Sequence, residues 1–197
     1  MPKIVDHSER RRELIEASWE VIANQGIEGI TLRNVAKAAG CTTGRISHYF
    51  SGREQLLSSA LRQAHKNAAV RMMKIANGKL DAKQRLIRVS YEGLPLDKSR
   101  LREWKVWIVF WAAAASSQNL AAENAARYKD WQDLIARLLT ECGTASQHLD
   151  SRLYELMSII DGLGIRLTLT PSPKNRELAR KTIADWVGRL DLSEVNH

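Results

Sequence analysis

Apolar residues recur at intervals of three and four along almost the whole chain, which is the period of an amphipathic helix. The alternation typical of half-buried strands is nearly absent. The pattern predicts nine helices, over about residues 9–25, 31–39, 42–50, 51–77, 81–93, 99–117, 119–142, 149–169 and 173–190. We therefore expect an all-α fold.

Capping and terminating residues mark several of these boundaries. Gly26 follows the first helix, where a left-handed residue is favourable. Asp81 and Ser172 precede two later helices as N-caps. Ser51 and Glu54 have the spacing of a capping box, in which each side chain binds the backbone of the other. The fourth helix should therefore begin near residue 51.

A short window early in the chain has the features of a helix-turn-helix motif. Ala36 provides a small residue where a second helix could cross the first, and Gly40 tolerates a tight turn. Thr42 or Thr43 can cap the second helix, and Ile46 can pack back on the first. Each feature is common, but their combination within so few residues favours this motif.

The residues of this window also resemble a known family. The run Thr43-Gly-Arg-Ile-Ser-His-Tyr-Phe50, followed by Arg53-Glu-Gln-Leu-Leu57, is similar to the DNA-binding domain of TetR-family transcriptional regulators. The resemblance implies a three-helix DNA-binding head over residues 1–55. It also implies a helical body over residues 56–197 that binds an effector and dimerises.

In that family the second helix of the motif enters the major groove of double-stranded DNA. We expect Arg45 to contact a base, because a guanidinium matches guanine O6 and N7, and Arg33 to be the second candidate. His48 could instead be a hydrogen-bonded surface imidazole. Two-fold symmetry would require a palindromic operator. The predicted DNA contacts are Thr31, Arg33, Thr42, Thr43, Gly44, Arg45, His48, Tyr49 and Arg53.

The charge of the chain agrees with a polyanionic partner. Lys and Arg number 30 against 22 Asp and Glu, for a net charge of +8. Residues 1–75 hold 12 of these basic residues and 7 acidic ones, so most of the excess lies in the first 75 residues, which include the proposed head. Arg10, Arg11 and Arg12 could approach a phosphate backbone or form a solvated face.

A second cluster of interest is a tryptophan stripe in the sixth helix. Trp104, Trp107 and Trp111 recur at i, i+3 and i+7, on one helical face. Core packing or a helix–helix seam would explain them. Indole faces also attract quaternary ammonium ions, and several rings together can form a cage.

Three segments resemble the choline-responsive BetI-type branch of the family: Ser-His-Tyr-Phe at 47–50, Trp-x-x-Phe-Trp-Ala at 107–112 and Ile-Asp-Gly-Leu at 160–163. That branch represses genes of glycine betaine synthesis until choline binds. Gly164 stands where a bulky aromatic residue is often found. Asp161 could balance a cation or make a structural hydrogen bond. The predicted ligand residues are Trp104, Trp107, Trp111, Tyr91, Trp131 and Asp161.

The last two helices are apolar over a wide arc, which could close the monomer core or form a homodimer. The resemblance implies a dimer through these helices, where Gly162 and Gly164 would permit close approach. The two cysteines, Cys41 and Cys142, lack the spacing of a metal site, and we expect no metal and no cofactor. The charged first residues indicate no secretory signal, and the apolar run at 106–115 is too short to span a membrane. A cytoplasmic protein is expected.

The sequence therefore favours a repressor that binds its operator as a homodimer and is released by a small effector, choline or a related quaternary ammonium compound. The same sequence features are also compatible with an activator, or with a repressor that needs a co-repressor to bind DNA. The alternatives are an architectural or non-specific DNA-binding protein, a ligand carrier with a vestigial DNA head, and a TetR-like regulator of efflux or catabolism that senses an apolar or aromatic ligand. No nucleophile–base pair or phosphate loop suggests an enzyme.

Overall fold

The computed structural model describes residues 7–190, and the regular structure in that range is entirely helical, as predicted. The ends of the chain, residues 1–6 and 191–197, lie outside this range, and so do the outer limits of the two predicted domains. Within it the helices are α1 His7–Gly29, α2 Leu32–Ala38, α3 Thr43–Ser47, α4 Arg53–Ala76, α5 Ala82–Glu92, α6 Lys98–Ala114, α7 Gln118–Glu141, α8 Ser146–Leu169 and α9 Pro173–Gly188.

The helix boundaries follow from local capping chemistry. At six helix starts a side-chain oxygen accepts a hydrogen bond from the backbone N–H three residues further on, at 2.8 to 3.4 Å, and the caps are Thr31, Thr42, Asp81, Asp97, Ser117 and Ser172. Thr42, rather than Thr43, therefore caps α3. Gly26 has a φ of 64° and interrupts α1 one residue after the predicted end.

The start of α4 differs from the prediction. The backbone N–H of Ser51 donates to Oε1 of Gln55 at 2.6 Å, and Glu54 instead accepts a hydrogen bond from the hydroxyl of Ser117 at 2.7 Å. The predicted Ser51–Glu54 box was wrong because a partner distant in sequence engages Glu54. The neighbouring amide then fills the capping role.

The backbone forms two compact units. In the described range the first contains residues 7–65 and 105–125, and the second contains residues 66–104 and 126–190. The division falls within α4, α6 and α7, so each of these helices contributes to both units. The functional boundary predicted between residues 55 and 56 remains a prediction.

Each unit has its own apolar core. In the first, α1 contributes Leu14 and Ile22, and the helix-turn-helix contributes Val35, Ala36 and Ile46, all nearly inaccessible to solvent. In the second, α4, α5, α7, α8 and α9 contribute core side chains that include Met72, Leu86, Leu138, Ile160 and Trp186. Burial of aliphatic side chains at helical spacing is the main source of stability in both units.

Candidate DNA interface and effector site

The helix-turn-helix is built as the sequence predicted. Gly40 has a φ of 63°, a left-handed conformation that ends α2. The N–H of Cys41 then donates to the carbonyl of Ala36 at 2.9 Å, which closes the turn. Ile46 and Phe50 are fully buried and fix α3 against the core. Because these side chains face inward, the opposite face of α3 is presented to solvent.

Most of the predicted DNA contacts lie on that exposed face. Tyr49 is half-buried, and the exposed members are Thr31, Arg33, Thr42, Thr43, Gly44, Arg45, His48 and Arg53. The guanidinium groups of Arg33 and Arg45 form no hydrogen bond or ion pair within residues 7–190, so both can bind an external partner.

Some of these residues also have structural tasks. Thr31 and Thr42 use their hydroxyl oxygens as caps. Arg53 donates to the carbonyl of Ile27 at 2.8 Å and so ties the start of α4 to the end of α1. A Cβ added at Gly44 would meet nothing within 4 Å, so the backbone there is open to a close approach. Their roles as DNA contacts remain predictions.

The start of α1 adds residues that the sequence did not identify. His7, Ser8 and Arg11 line a groove of about 550 Å³ with Arg45, His48 and Tyr49. The hydroxyl of Tyr49 lies 3.4 Å from Nδ1 of His7, and the rings are 5.9 Å apart. Of these three residues, only Arg11 had been considered near a phosphate backbone, together with Arg10 and Arg12. His7 and Ser8 were missed because their position beside α3 depends on tertiary packing.

Arg11 is held in this groove by two contacts. Its guanidinium lies 5.1 Å from the ring centroid of Phe50 and donates to Oγ of Ser59 at 2.8 Å. The groove is thus lined by two cations, Arg11 and Arg45, and by the imidazole rings of His7 and His48. Such a surface attracts a phosphate backbone.

The tryptophans of α6 fall into different units. Trp107 and Trp111 pack against the core of the first unit, with ring centroids 6.2 Å apart, and the indole N–H of Trp111 donates to Asn124 at 3.0 Å. This is the core-packing role that the sequence left open, and their role as ligand residues stays a prediction. Trp104 belongs to the second unit.

Trp104 occupies the space beside Gly164. A Cβ added at Gly164 would lie 2.0 Å from ring atoms of Trp104, which is 6% exposed. The aromatic group that position 164 lacks is therefore supplied by α6. The sequence had assigned Gly164 to close approach at a dimer surface, but it lies under Trp104 of the same chain. Gly162 is exposed, with nothing within 4 Å of an added Cβ.

A largely buried carboxyl group lies one helical turn before Gly164. Tyr128 donates a hydrogen bond to Oδ2 of Asp161, while Oδ1 is buried and has no hydrogen-bond partner in the described part of the chain. Burial raises the pKa of Asp161 to about 6, although the bond from Tyr128 opposes the shift. Burial also raises the pKa of Tyr128. The structural hydrogen bond considered for Asp161 is present, and one oxygen remains available.

The indole of Trp131 connects this carboxyl group to Trp104. Tyr128 and Trp131 meet edge to face at 6.0 Å. A Cβ added at Gly93 would lie 2.6 Å from the ring of Trp131, and the carbonyl of Gly93 accepts the indole N–H of Trp104 at 3.0 Å. We call Trp104, Tyr128, Trp131 and Asp161 the aromatic–carboxylate cluster. Tyr128 was missed as a central member because its partner is 33 positions away.

Tyr91, the remaining predicted ligand residue, has a structural contact. Its hydroxyl donates to the carbonyl of Arg180 at 3.1 Å and links α5 to α9, and burial raises its pKa. Residues 7–190 contain no group of three or more His, Cys, Asp or Glu side chains arranged to hold a metal ion. No helix in that range combines the length and apolar character needed to cross a membrane.

A capped helix-turn-helix with an exposed basic helix, together with a helical unit that holds polar and aromatic groups inside, defines a DNA-binding transcriptional regulator. Residues 14–60 match the family of bacterial regulatory proteins of the tetR type, and residues 82–192 match the C-terminal domain of BetI-type transcriptional repressors. The chain belongs to the TetR family, in its BetI-type branch.

Individual relatives agree with this assignment. The regulator PksA of Bacillus subtilis is 32% identical over 99% of this chain and 96% of its own length. BetI of Cronobacter sakazakii is 29% identical over 95% of this chain and 93% of its own length. A regulator from Saccharomonospora viridis, solved in complex with choline, has a TM-score of 0.84 and 25% identity, covering 92% of this chain and 96% of its own. These relatives are regulators rather than enzymes, as the sequence predicted.

Proposed function

We propose that this protein is a cytoplasmic repressor that binds a palindromic operator as a homodimer and is released by a small quaternary ammonium compound, choline or a close relative. The observation that carries the effector assignment is the buried, unpartnered oxygen of Asp161 among aromatic rings. The family supports DNA binding, and the finer statements are argued from the residues as follows.

The exposed side chains of α2 and α3 support sequence-specific binding. Arg33 and Arg45 are long, exposed cations at the start of α2 and within α3. The groove lined by His7, Arg11 and His48 would hold the adjacent phosphate backbone. Bidentate base contacts from one residue and phosphate contacts from others are the usual division of labour in such motifs.

Exposed apolar side chains support dimerisation through α8 and α9. Tyr154 and Leu169 are 77% and 72% exposed, and Ile165 lies on the same face of α8. Leu178 is exposed on α9. Large apolar groups gathered on two neighbouring helices indicate an interaction surface, and a second copy of the same pair would cover it.

The aromatic–carboxylate cluster supports a cationic effector. Tyr128 and Trp131 offer ring faces and edges, and Asp161 offers a negative charge. A quaternary ammonium ion has no N–H donors, so it binds through ring quadrupoles and an opposite charge. The choline complex of the Saccharomonospora viridis regulator favours the same class of ligand.

Release from DNA would be a shift in population. The effector can favour a state with low operator affinity only if it binds that state more tightly than the operator-binding state. By reciprocity, operator DNA must then weaken effector binding by the same factor.

The test combines ligand binding with DNA binding. Wild type should bind choline with saturable tryptophan quenching and should ignore 3,3-dimethylbutanol, its uncharged isostere. It should bind a palindrome selected from a randomised duplex more tightly than a scrambled duplex at two salt concentrations, and choline should weaken that binding. Equal responses to both ligands would indicate an apolar effector, and equal affinity for both duplexes would indicate a non-specific DNA-binding protein.

A further inference from the structure

Arg71, on the part of α4 that belongs to the second unit, is held by two carboxylates. Its Nε donates to Glu92 at 2.7 Å, and Nη1 and Nη2 donate to the two oxygens of Glu103 at 2.9 and 2.7 Å. Glu103 is 3% exposed. The pair with Glu103 is bidentate, so it fixes the orientation of the guanidinium as well as its position. A salt bridge this buried is expensive to break on one side.

A second arginine completes the charge balance around Glu92. Arg100 donates to Oε1 of Glu92 at 3.0 Å and also pairs with Asp97 at 2.8 Å. Burial opposes the charge of Arg71, yet the bonds to Glu103 and Glu92 raise its pKa above the ordinary value. The guanidinium of Arg71 therefore stays protonated across the pH range in which proteins are studied.

We call Arg71, Glu92 and Glu103 the arginine clamp. Both of its carboxylate residues are adjacent in sequence to residues that border the aromatic–carboxylate cluster. Glu92 precedes Gly93, whose carbonyl accepts the N–H of Trp104 and where an added Cβ would lie 2.6 Å from the ring of Trp131. Glu103 precedes Trp104 itself. The ring of Trp104 fills the space over Gly164, and the ring of Trp131 fills the space over Gly93. Each ring therefore adjoins one of the two carboxylates through the backbone of Gly93 or of Trp104.

We propose that Arg71 is the positioning residue through which effector binding acts on α4. Displacement of Trp104 or Trp131 moves the backbone beside Glu92 or Glu103, and the three hydrogen bonds of Arg71 carry that movement to α4. The part of α4 from Arg53 to His65 belongs to the first unit. Arg71 contacts neither effector nor DNA in this scheme, which rests on the proposed function.

The test measures coupling separately from binding. In full-length protein, operator affinity is measured by fluorescence anisotropy with and without saturating choline, and choline affinity is measured by calorimetry without DNA. Wild-type operator affinity should fall about 5- to 150-fold on addition of choline, the usual range of coupling. Arg71→Lys keeps the charge and loses the bidentate fork. It should keep both separate affinities within about threefold, while the coupling ratio falls close to one.

Arg85→Lys is the matched control. Arg85 also bridges helices in the second unit, bonding Glu141 at 2.7 Å and the carbonyl of Ala76 at 3.0 Å. This variant should keep the wild-type ratio, because neither of these partners adjoins the cluster. Glu103→Gln keeps the shape of the side chain and breaks the charge pair with Arg71, so it should lose coupling as Arg71→Lys does. It replaces Arg71→Lys as the test variant if the lysine variant fails to fold.

The outcomes separate the two proposals. A folded Arg71→Lys with the wild-type ratio would overturn the role of Arg71 and leave the proposed function intact. Loss of coupling in Arg85→Lys as well would show a general structural effect and also overturn it. If choline does not change the operator affinity of the wild-type protein, the effector assignment is refuted, and the proposed role of Arg71 is refuted with it.

Discussion

Replacing Asp161 with asparagine should make the protein more stable and should remove the affinity for a cationic effector that we propose. Burial moves the pKa of this carboxyl from 3.8 to about 6, so the folded state holds the proton more tightly than the unfolded state does. One pKa unit is worth about 1.4 kcal/mol, which gives an upper value of about 3 kcal/mol for the ionised group. Because part of the side chain reaches solvent, we expect a gain of about 1–3 kcal/mol at pH 8.

The pH dependence of this gain has a definite sign. Because the pKa of Asp161 is raised in the folded state, the ionised carboxyl lowers the free energy of unfolding by its full amount above about pH 6. Protonation removes this loss of stability as the pH falls through about 6 towards about 4. The amide that replaces the carboxyl group in the variant cannot titrate. The difference in free energy of unfolding between Asp161→Asn and wild type should therefore be largest at pH 8 and should shrink towards pH 4.

The assay is urea unfolding followed by circular dichroism at pH 8, 7, 6 and 5. All measurements use one protein concentration, because the stability of the proposed dimer would depend on it. Other carboxylates titrate equally in both proteins and cancel in the difference. Tyr128→Phe is a useful companion, because it removes the hydrogen bond to Asp161 but keeps the carboxyl group. A difference that is independent of pH, or a variant that is less stable than wild type at pH 8, would refute the reasoning.

Three further predictions concern the binding surfaces and the packing. Choline affinity should fall by up to about tenfold per pH unit below about pH 6, as calorimetry would show, because Asp161 then becomes neutral. Gly164→Ala should destabilise the protein by about 1–3 kcal/mol in urea, since its Cβ meets Trp104, whereas Gly162→Ala should stabilise it by about 0.5–1 kcal/mol. Arg45→Ala should cost about 1–3 kcal/mol of operator affinity and relax the preference at one base pair per half-site, and an equal loss on scrambled duplex would mark a phosphate contact instead.

Features that depend on neighbours in sequence were predictable. The cap of α3, predicted at Thr42 or Thr43, the turn at Gly40 and the buried Ile46 lie within a few residues of their partners, so the pattern of residue types contains the information. The family resemblance was predictable for the same reason, since its motifs are short. Asp81 and Ser172 cap their helices as expected because a cap acts on the backbone three residues away.

Features that depend on partners distant in sequence could not be predicted. The bonds from Arg71 to Glu92 and Glu103 span 21 and 32 positions, and Tyr128 lies 33 positions from Asp161. Helical spacing placed the α6 tryptophans on one face, but it contains no signal that the helix passes from one compact unit to another. Pairings of this kind are set by how helices pack, which a single sequence does not display.

The contact between Trp104 and Gly164 makes two positions on different helices share one volume. A mutation that enlarges one side chain is then tolerated only if the other shrinks, so the two positions should change together as sequences diverge. Relatives with an aromatic residue aligned to Gly164 should have a small one aligned to Trp104. Such a swap would move the ring from α6 to α8 and change which helix responds first to an incoming ligand.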